Sequence, residues 1–225
     1  MCAAFLGRAG RVTTELSRCS AAFGRLRIDY DHRVLRPRPW TTAQSVWAAE
    51  LLHDAPPGPV LELCAGAGHI GLLALALAGS RRDLVLVDRD AVACAFARVN
   101  ASRELPAGVV DVRRSRLETA LAPGERFAVI LADPPWVPTA AVGRFPRDPV
   151  TAIDGGPDGL TVAWVCLDVI AGHLLPGGSA VVQLGTAGQV DRVAERLAGD
   201  PAATLRVAAR RSYGARGILA LVRHR

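Results

Sequence analysis

The sequence contains no lysine: all 27 of its basic residues are arginine. That absence excludes Schiff-base chemistry and a Walker-type phosphate loop, both of which need a lysine amine. Arginine codons are GC-rich and lysine codons are not, so the bias is read as genomic. The net charge of +6 therefore permits an acidic partner without demanding one, and is discounted as evidence for nucleic acid. Cysteine is sparse and scattered: five residues (Cys2, Cys19, Cys64, Cys94, Cys166), an odd number with no Cys-x-x-Cys pair. Zinc-ligand spacing and a disulfide framework are both missing, so reduced thiols, no metal and a cytoplasmic location are expected. Long apolar runs are missing too. The longest, Ile70 to Ala78, has nine residues, well short of a membrane span. No secretory core, internal repeat or low-complexity tract occurs. Met1 to Arg27 carries Arg and Ser with one acid, Glu15, which imitates a transit peptide only as far as arginine enrichment throughout the chain allows.

What is present is 225 residues, half of them apolar. That is enough for one α/β domain, which can bury about 70% of its unfolded surface without staples. Val12 to Phe23 reads as a short amphipathic helix, and Leu26 to Leu35 as a small hairpin. A helix is expected over Ala43 to Leu52, with Thr41 or Thr42 as its N-cap. From Pro56 the pattern becomes regular. Strands are expected at Val60–Leu63, Leu84–Val87, Val109–Val112, Phe127–Ala132 and Ser179–Leu184, the last entered through a Pro176-Gly-Gly178 turn. Helices are expected from His69 to Ala78, from Asp88 to about Asn100, from Leu160 to Leu175 and from Gln189 to Leu197. Leu205–Ala209 and Ile218–Arg223 close the chain as a hairpin. Strands alternating with helices at this spacing imply a doubly wound, mostly parallel sheet, with an antiparallel element at the hairpin end.

Two segments carry chemistry. The first is Glu62-Leu-Cys-Ala-Gly-Ala-Gly68, a turn between a strand and a helix. Its small residues let the backbone approach a ligand, and the helix start presents free N–H groups. Asp88 ends the following strand, 20 residues after Gly68. A carboxylate there faces the ribose hydroxyls of a nucleotide-like ligand in doubly wound sheets. Two cofactors fit. Gly66-x-Gly68-x-x-Gly71 satisfies the dinucleotide fingerprint literally, although its strand ends before the first glycine. S-adenosylmethionine has no pyrophosphate and needs a polar anchor for its ammonium group. Glu62 can be that anchor or can orient the loop.

The second segment, Ile130-Leu-Ala-Asp-Pro-Pro-Trp136, decides between them. Two prolines after a strand-end acid stiffen the backbone at the mouth of the sheet. A conjugated amino group is a poor nucleophile because its lone pair is delocalised. Asp133 and the Pro134 carbonyl can accept its two N–H bonds and turn the lone pair toward a methyl donor, while stabilising the charge that develops. Pro135 continues the stiff backbone, and Trp136 can stack on a flat substrate group.

These residues resemble the class I S-adenosylmethionine-dependent methyltransferases, in the Asn/Asp-Pro-Pro-aromatic amino-methyltransferase group, and within it the HemK/PrmC-type protein-glutamine methyltransferases. Phe23-Gly24 through Val34-Leu-Arg-Pro-Arg-Pro-Trp-Thr41 is similar to the family's hairpin and its Pro-Arg-x-x-Thr-Glu segment. Ala152-Ile-Asp-Gly-Gly-Pro-Asp-Gly-Leu160 is similar to its Gly-Gly-x-Asp-Gly-Leu loop. The likeness runs from Phe23 to Arg223. It implies a Rossmann-like, seven-stranded sheet with one antiparallel strand, and S-adenosyl-L-methionine as cofactor. It also implies methyl transfer to an amide or amino nitrogen. The expected organisation is an N-terminal extension over residues 1–22 and a catalytic domain over 23–225, with its hairpin at 23–38. Family members carry a separate N-terminal helical domain for their protein substrate, which is expected here to be missing or vestigial.

The expected cofactor contacts are Glu62, Cys64, Ala65, Gly66, Gly68, Asp88 and Arg89. The resemblance adds Thr41 beside the cofactor and Leu117 at the adenine. The catalytic segment is Asp133, Pro134, Pro135 and Trp136. Departures are Cys64 at the family's first glycine, Thr42 at its Glu, and Arg116 where an acidic residue meets the adenine region. Asp133 and Trp136 replace the typical Asn and Tyr. Asn both donates and accepts, whereas ionised Asp only accepts, which favours an amine-like target over an amide. Candidate substrates are a protein (a release factor by resemblance), a nucleic-acid amino group or a small molecule. An NAD-dependent oxidoreductase and an inactive cofactor-binding module are the remaining alternatives. His69 is expected in an exposed first helical turn, and Asp154 and Asp158 as turn formers. Arg36 and Arg38 are candidates for a substrate anion or for the plain surface. The four tryptophans (Trp40, Trp47, Trp136, Trp164) together predict an aromatic-walled pocket.

Overall fold

The computed structural model describes residues 18–213 and 216–225. A two-stranded antiparallel hairpin, β1 (Cys19–Phe23) and β2 (Leu26–Tyr30), precedes the main sheet. A single turn of 3-10 helix at Pro39–Thr41 leads into α1 (Thr42–Asp54). Then follow β3 (Val60–Leu63), α2 (His69–Ala78), β4 (Leu84–Asp88), α3 (Ala91–Glu104), β5 (Val110–Arg114) and β6 (Phe127–Ala132). A long connection containing the short α4 (Val150–Ile153) reaches α5 (Thr161–His173). The chain ends with β7 (Leu174–Leu184), α6 (Ala187–Gly199), β8 (Leu205–Ser212) and β9 (Ile218–His224).

Strands β3 to β9 form one seven-stranded sheet in the order β5-β4-β3-β6-β7-β9-β8. The pairs from β5 through β7 are parallel, and β9 runs antiparallel to both its neighbours. The doubly wound sheet with a closing antiparallel hairpin is therefore as expected. Its central strands are buried on both faces, which is why β4 and β6 read as apolar runs and β3 is apolar except at Glu62. One face packs on α1, α2, α3 and the hairpin through Trp47, Leu72, Phe96 and Ile28. The other packs on α5 and α6 through Cys166, Ile170, Val190 and Val193. The strand order reverses between β3 and β6, so the carboxyl ends of those strands open a crevice there.

Three expectations are corrected. The helix over Val12–Phe23 is a strand from Cys19 onward, and its earlier part lies outside the described residues. The hairpin spans Cys19–Tyr30 and turns at Gly24, whose φ of 57° needs no Cβ, because Phe23 and Ile28 are both buried against the helices. Pro176-Gly-Gly178 lies inside β7, at a register shift opposite Phe127 and Val129. A Cβ on Gly178 would stand 2.8 Å from the Ala128 carbonyl oxygen, so the glycine permits close strand approach there.

Candidate active site

The turn after β3 winds through left-handed backbone at Cys64, Gly66 and Gly68, with φ of 56°, 54° and 77°. Cys64 adopts that conformation without being glycine, at a cost of about 1–2 kcal/mol. Its Sγ lies 4.0 Å from the Sγ of Cys166 on α5, and that contact with burial holds its thiol well above the ordinary range. The Ala65 N–H donates to the Val87 carbonyl at 3.0 Å, tying the turn to β4. Gly66 faces open space, with no atom within 4 Å of where a Cβ would be, so a ligand can lie against its backbone. Gly68 is different: a Cβ there would stand 2.8 Å from Leu86.

Glu62 is almost fully buried within β3, on the face covered by α2. Its Oε2 accepts the Gly71 N–H at 2.8 Å, one of the free donors of the first turn of α2. A Cβ at Gly71 would come within 2.6 Å of that oxygen. The third glycine of the apparent dinucleotide fingerprint thus serves Glu62, and Glu62 orients the loop. Asp88 accepts from Gly66 N through Oδ2 and from Asp90 N through Oδ1, both at 2.8 Å. Its carboxylate holds the turn and keeps lone pairs for a further donor.

Asp133 follows β6 directly and finds no partner among the described residues. Burial pushes its carboxyl up to about 7. Burial, with the charges of Asp133 and Asp88 adding to it, pushes Glu62 up to about 8, and burial raises Asp88 as well. Three carboxyl groups therefore face one crevice, and of the three only Asp88 is partly offset by a neighbouring cation, Arg89. Pro134 is buried behind Asp133, and its carbonyl accepts no backbone N–H among the described residues. The Trp136 ring lies over Gly185 at the end of β7, where a Cβ would meet it at 2.2 Å.

The connection after this segment, residues 137–160, forms a strap. Val137 and Asp154 pair as its base. Arg38 Nη2 donates to both carboxylate oxygens of Asp148, at 2.5 and 2.6 Å, and Arg89 Nη2 donates to the Thr151 carbonyl at 3.3 Å. Arg38 stands before α1 and Arg89 just after β4, so the strap is pinned at two points to the body of the domain. Arg38 is a structural clamp, and Arg89 is directed at the strap. Asp154 and Asp158 are turn formers, accepting from Gly156 N at 2.9 Å and Leu160 N at 3.0 Å.

Thr41 stands at the N-cap position of α1, as expected. Thr41 is buried, and its hydroxyl donates to the Arg38 carbonyl at 2.8 Å. Leu117 packs half-buried beside α5, next to an exposed Arg116 paired with Glu118. His69 is not exposed. It packs edge-on against Phe23 with centroids 4.7 Å apart, and burial holds it neutral, down to about 4. The four-tryptophan pocket is not formed. Trp47 is buried under Arg211 in the α1 face, and Trp164 lies under Arg196 of α6. Trp40 sits between Arg38 and Arg216.

Residues outside the motifs hold the site. Gln44 of α1, fully buried, donates to the carbonyls of Ala132 at 3.0 Å and Val181 at 2.9 Å. Asn100 of α3 accepts from Asp29 N and donates to Asp29 O and Ala67 O, tying the hairpin to the glycine turn. Gln189 of α6 donates to Trp136 O. The one local signal among them is the capping spacing Thr186-x-x-Gln189. Among the described residues no group of three or more His, Cys, Asp or Glu could hold a metal, and no helix is long and apolar enough to cross a membrane.

Residues 44–144, which carry the glycine turn after β3, the acid that ends β4 and the Asp133 segment after β6, match the methyltransferase small domain family. Within that family the chain is HemK/PrmC-like. It is 33% identical over 194 residues to the release factor glutamine methyltransferase of Mycobacterium tuberculosis, covering 78% of this chain and 59% of that protein. It is 30% identical over 181 residues to the corresponding protein of Gloeobacter violaceus, covering 78% of this chain and 62% of that one. The chain thus spans about three fifths of the length of these relatives. In fold it is similar to the N-terminal domain of human METTL16 in complex with SAH, with a TM-score of 0.60, 16% identity, and coverage of 87% and 74% of the two chains.

Proposed function

We propose that this protein is an S-adenosylmethionine-dependent N-methyltransferase acting on an amide or amino nitrogen presented to Asp133. The observation that carries the proposal is the pair of unused acceptors, the Asp133 carboxylate and the Pro134 carbonyl, beside the glycine turn. The same crevice tests the cofactor. The carboxyl groups of buried Glu62 and half-buried Asp88 and Asp133, offset only by Arg89 beside Asp88, suit a sulfonium and an ammonium and oppose a pyrophosphate. The open side of Gly66 leaves room for the ligand, and Asp88 has lone pairs left for ribose hydroxyls. METTL16, similar in fold, holds the demethylated cofactor in its solved structure.

When bound, S-adenosylmethionine supplies an electrophilic methyl group on sulfonium. The chain does the rest. Asp133 and the Pro134 carbonyl accept the N–H bonds of the target and hold its lone pair in line. Their negative ends stabilise the positive charge that grows on nitrogen. The Asp133 carboxylate can then take the proton the nitrogen sheds, burial favouring its protonated form once the sulfonium charge is gone. Trp136 offers a flat surface over Gly185 for the group bearing that nitrogen. The relatives' names point to a protein glutamine. Asp133 in place of Asn favours an amino nitrogen, because an ionised carboxylate gives no hydrogen to an amide oxygen.

The test is transfer of labelled methyl from S-adenosylmethionine into lysate, sorted by sensitivity to protease, nuclease and dialysis. Transfer is expected, and expected to vanish in Asp133→Ala with cofactor binding retained. Binding of NAD(H) without S-adenosylmethionine or S-adenosylhomocysteine would overturn the proposal.

A further inference from the structure

The side-chain amide of Gln189 is buried, at 3% exposure, and joins three separate segments. Its Nε2 donates to the Trp136 carbonyl at 3.0 Å and to the Asp158 carbonyl at 3.1 Å. Its Oε1 accepts from Gly185 N at 2.9 Å and Thr186 N at 3.2 Å. All four hydrogen-bonding positions of the amide are thus occupied. The oxygen end completes a capping box at the start of α6, where the Thr186 hydroxyl accepts the Gln189 N–H at 3.2 Å. That box works equally well with glutamate. The nitrogen end does not: only an amide can give hydrogens to two carbonyls while its oxygen accepts from two N–H groups. The choice of Gln over Glu therefore answers to Trp136 and Asp158, not to the helix.

The packing around it is equally demanding. A Cβ on Gly159 would stand 2.2 Å from the Trp136 carbonyl oxygen and 2.4 Å from Gln189 Nε2. A Cβ on Gly155 would stand 2.5 Å from the Pro135 carbonyl oxygen. The loop Gly155–Gly159 thus presses on the backbone of the Asp133-Pro-Pro-Trp136 segment. Gly185, whose N–H Gln189 holds, is the floor under the Trp136 ring. One side chain fixes both the carbonyl of Trp136 and the surface on which its ring rests.

We propose that Gln189 is a positioning residue for methyl transfer, holding the Asp133–Trp136 segment in its reactive register by donating to the Trp136 carbonyl. This rests on the methyltransferase reading. Two variants separate the roles. Gln189→Glu keeps the capping acceptor and loses the donors. Thr186→Ala removes the hydroxyl cap and leaves both donors. The rate of labelled-methyl transfer at saturating S-adenosylmethionine is expected to fall about ten- to a hundredfold in Gln189→Glu, as a misplaced reacting group does. The cofactor dissociation constant should stay as in the wild type, since Gln189 touches no residue of the glycine turn. Thr186→Ala should lower the melting temperature while transfer below that temperature persists. Hydrogen exchange gives a readout that needs no turnover: Gln189→Glu should loosen amides in 137–139 and 155–161, and Thr186→Ala only those at the start of α6. Wild-type transfer in Gln189→Glu, or equal loss of transfer in Thr186→Ala, overturns the assignment. Absence of transfer in the wild type speaks against the function itself, and the exchange pattern then still decides whether Gln189 holds the segment.

Discussion

Cofactor binding should release protons, and its affinity should depend on pH in one direction only. In the free protein burial brings Asp133 to about 7 and Glu62 to about 8, with Asp88 also raised. A sulfonium and an ammonium arriving among these carboxyl groups favour their ionised forms. If Asp133 returns to an ordinary carboxylate value near 4 on binding, the apparent dissociation constant rises tenfold for each pH unit below 7, to about a hundredfold at pH 5. That corresponds to about 2.7 kcal/mol. Glu62 is coupled to Asp133, so the pair sets a slope between one and two protons. S-adenosylhomocysteine lacks the sulfonium charge and should release fewer protons than S-adenosylmethionine. Calorimetric titration from pH 5.5 to 8.5, in two buffers of different ionisation heat, measures both affinity and protons released. A pH-independent affinity, or proton uptake of the kind an anionic dinucleotide would cause, would falsify the charge argument.

Three further outcomes follow from the same geometry. Asp133 has a raised folded pKa, so its contribution to stability is fully present below about 4 and is lost as pH rises to about 7. Asp133→Asn should therefore raise the melting temperature at pH 8, by about 2–4 °C for each kcal/mol relieved, and leave it unchanged at pH 4. Asp88→Ala removes acceptors from the Gly66 and Asp90 amides and should weaken S-adenosylmethionine by about 1–3 kcal/mol in a binding titration. Asp148→Asn removes a charge from the ion pair with Arg38 and should raise the stopped-flow dissociation rate of S-adenosylhomocysteine, while Asp111→Asn, on the edge strand β5, should not.

The fold was legible where burial simplified the pattern. The expected bounds of β3 and β6 agree with the structure residue for residue, and α2 lies where it was expected, because segments buried on both faces become nearly continuous apolar runs, broken in β3 only by Glu62. The hairpin was illegible because Cys19–Phe23 is made of small residues whose pairing partner, not their own periodicity, makes them a strand. In β7 the local turn signal of Pro176-Gly-Gly178 is overridden by pairing with β6, where the glycine lets the strands meet at a register shift.

The acids of the site were legible for a topological reason: Glu62, Asp88 and Asp133 fall at or near the carboxyl ends of adjacent parallel strands, and such ends are where a doubly wound sheet opens. The side chains that aim them were not. Gln44 reaches the Val181 carbonyl across 137 residues of sequence, Asn100 reaches Asp29 across 71, and Gln189 reaches Trp136 across 53. Each is an amide buried among apolar neighbours, and each satisfies a backbone group that a loop or strand end leaves unpaired. In sequence such a residue is a polar interruption of an apolar helical stripe, indistinguishable from a surface position. It becomes meaningful only once the loops it bridges stand side by side. In the proposed mechanism the Asp133-Pro-Pro-Trp136 segment supplies the reacting groups, and their position depends on donors from α1 and α6. A chain carrying the motif without those amides should fold the same sheet and lose the rate.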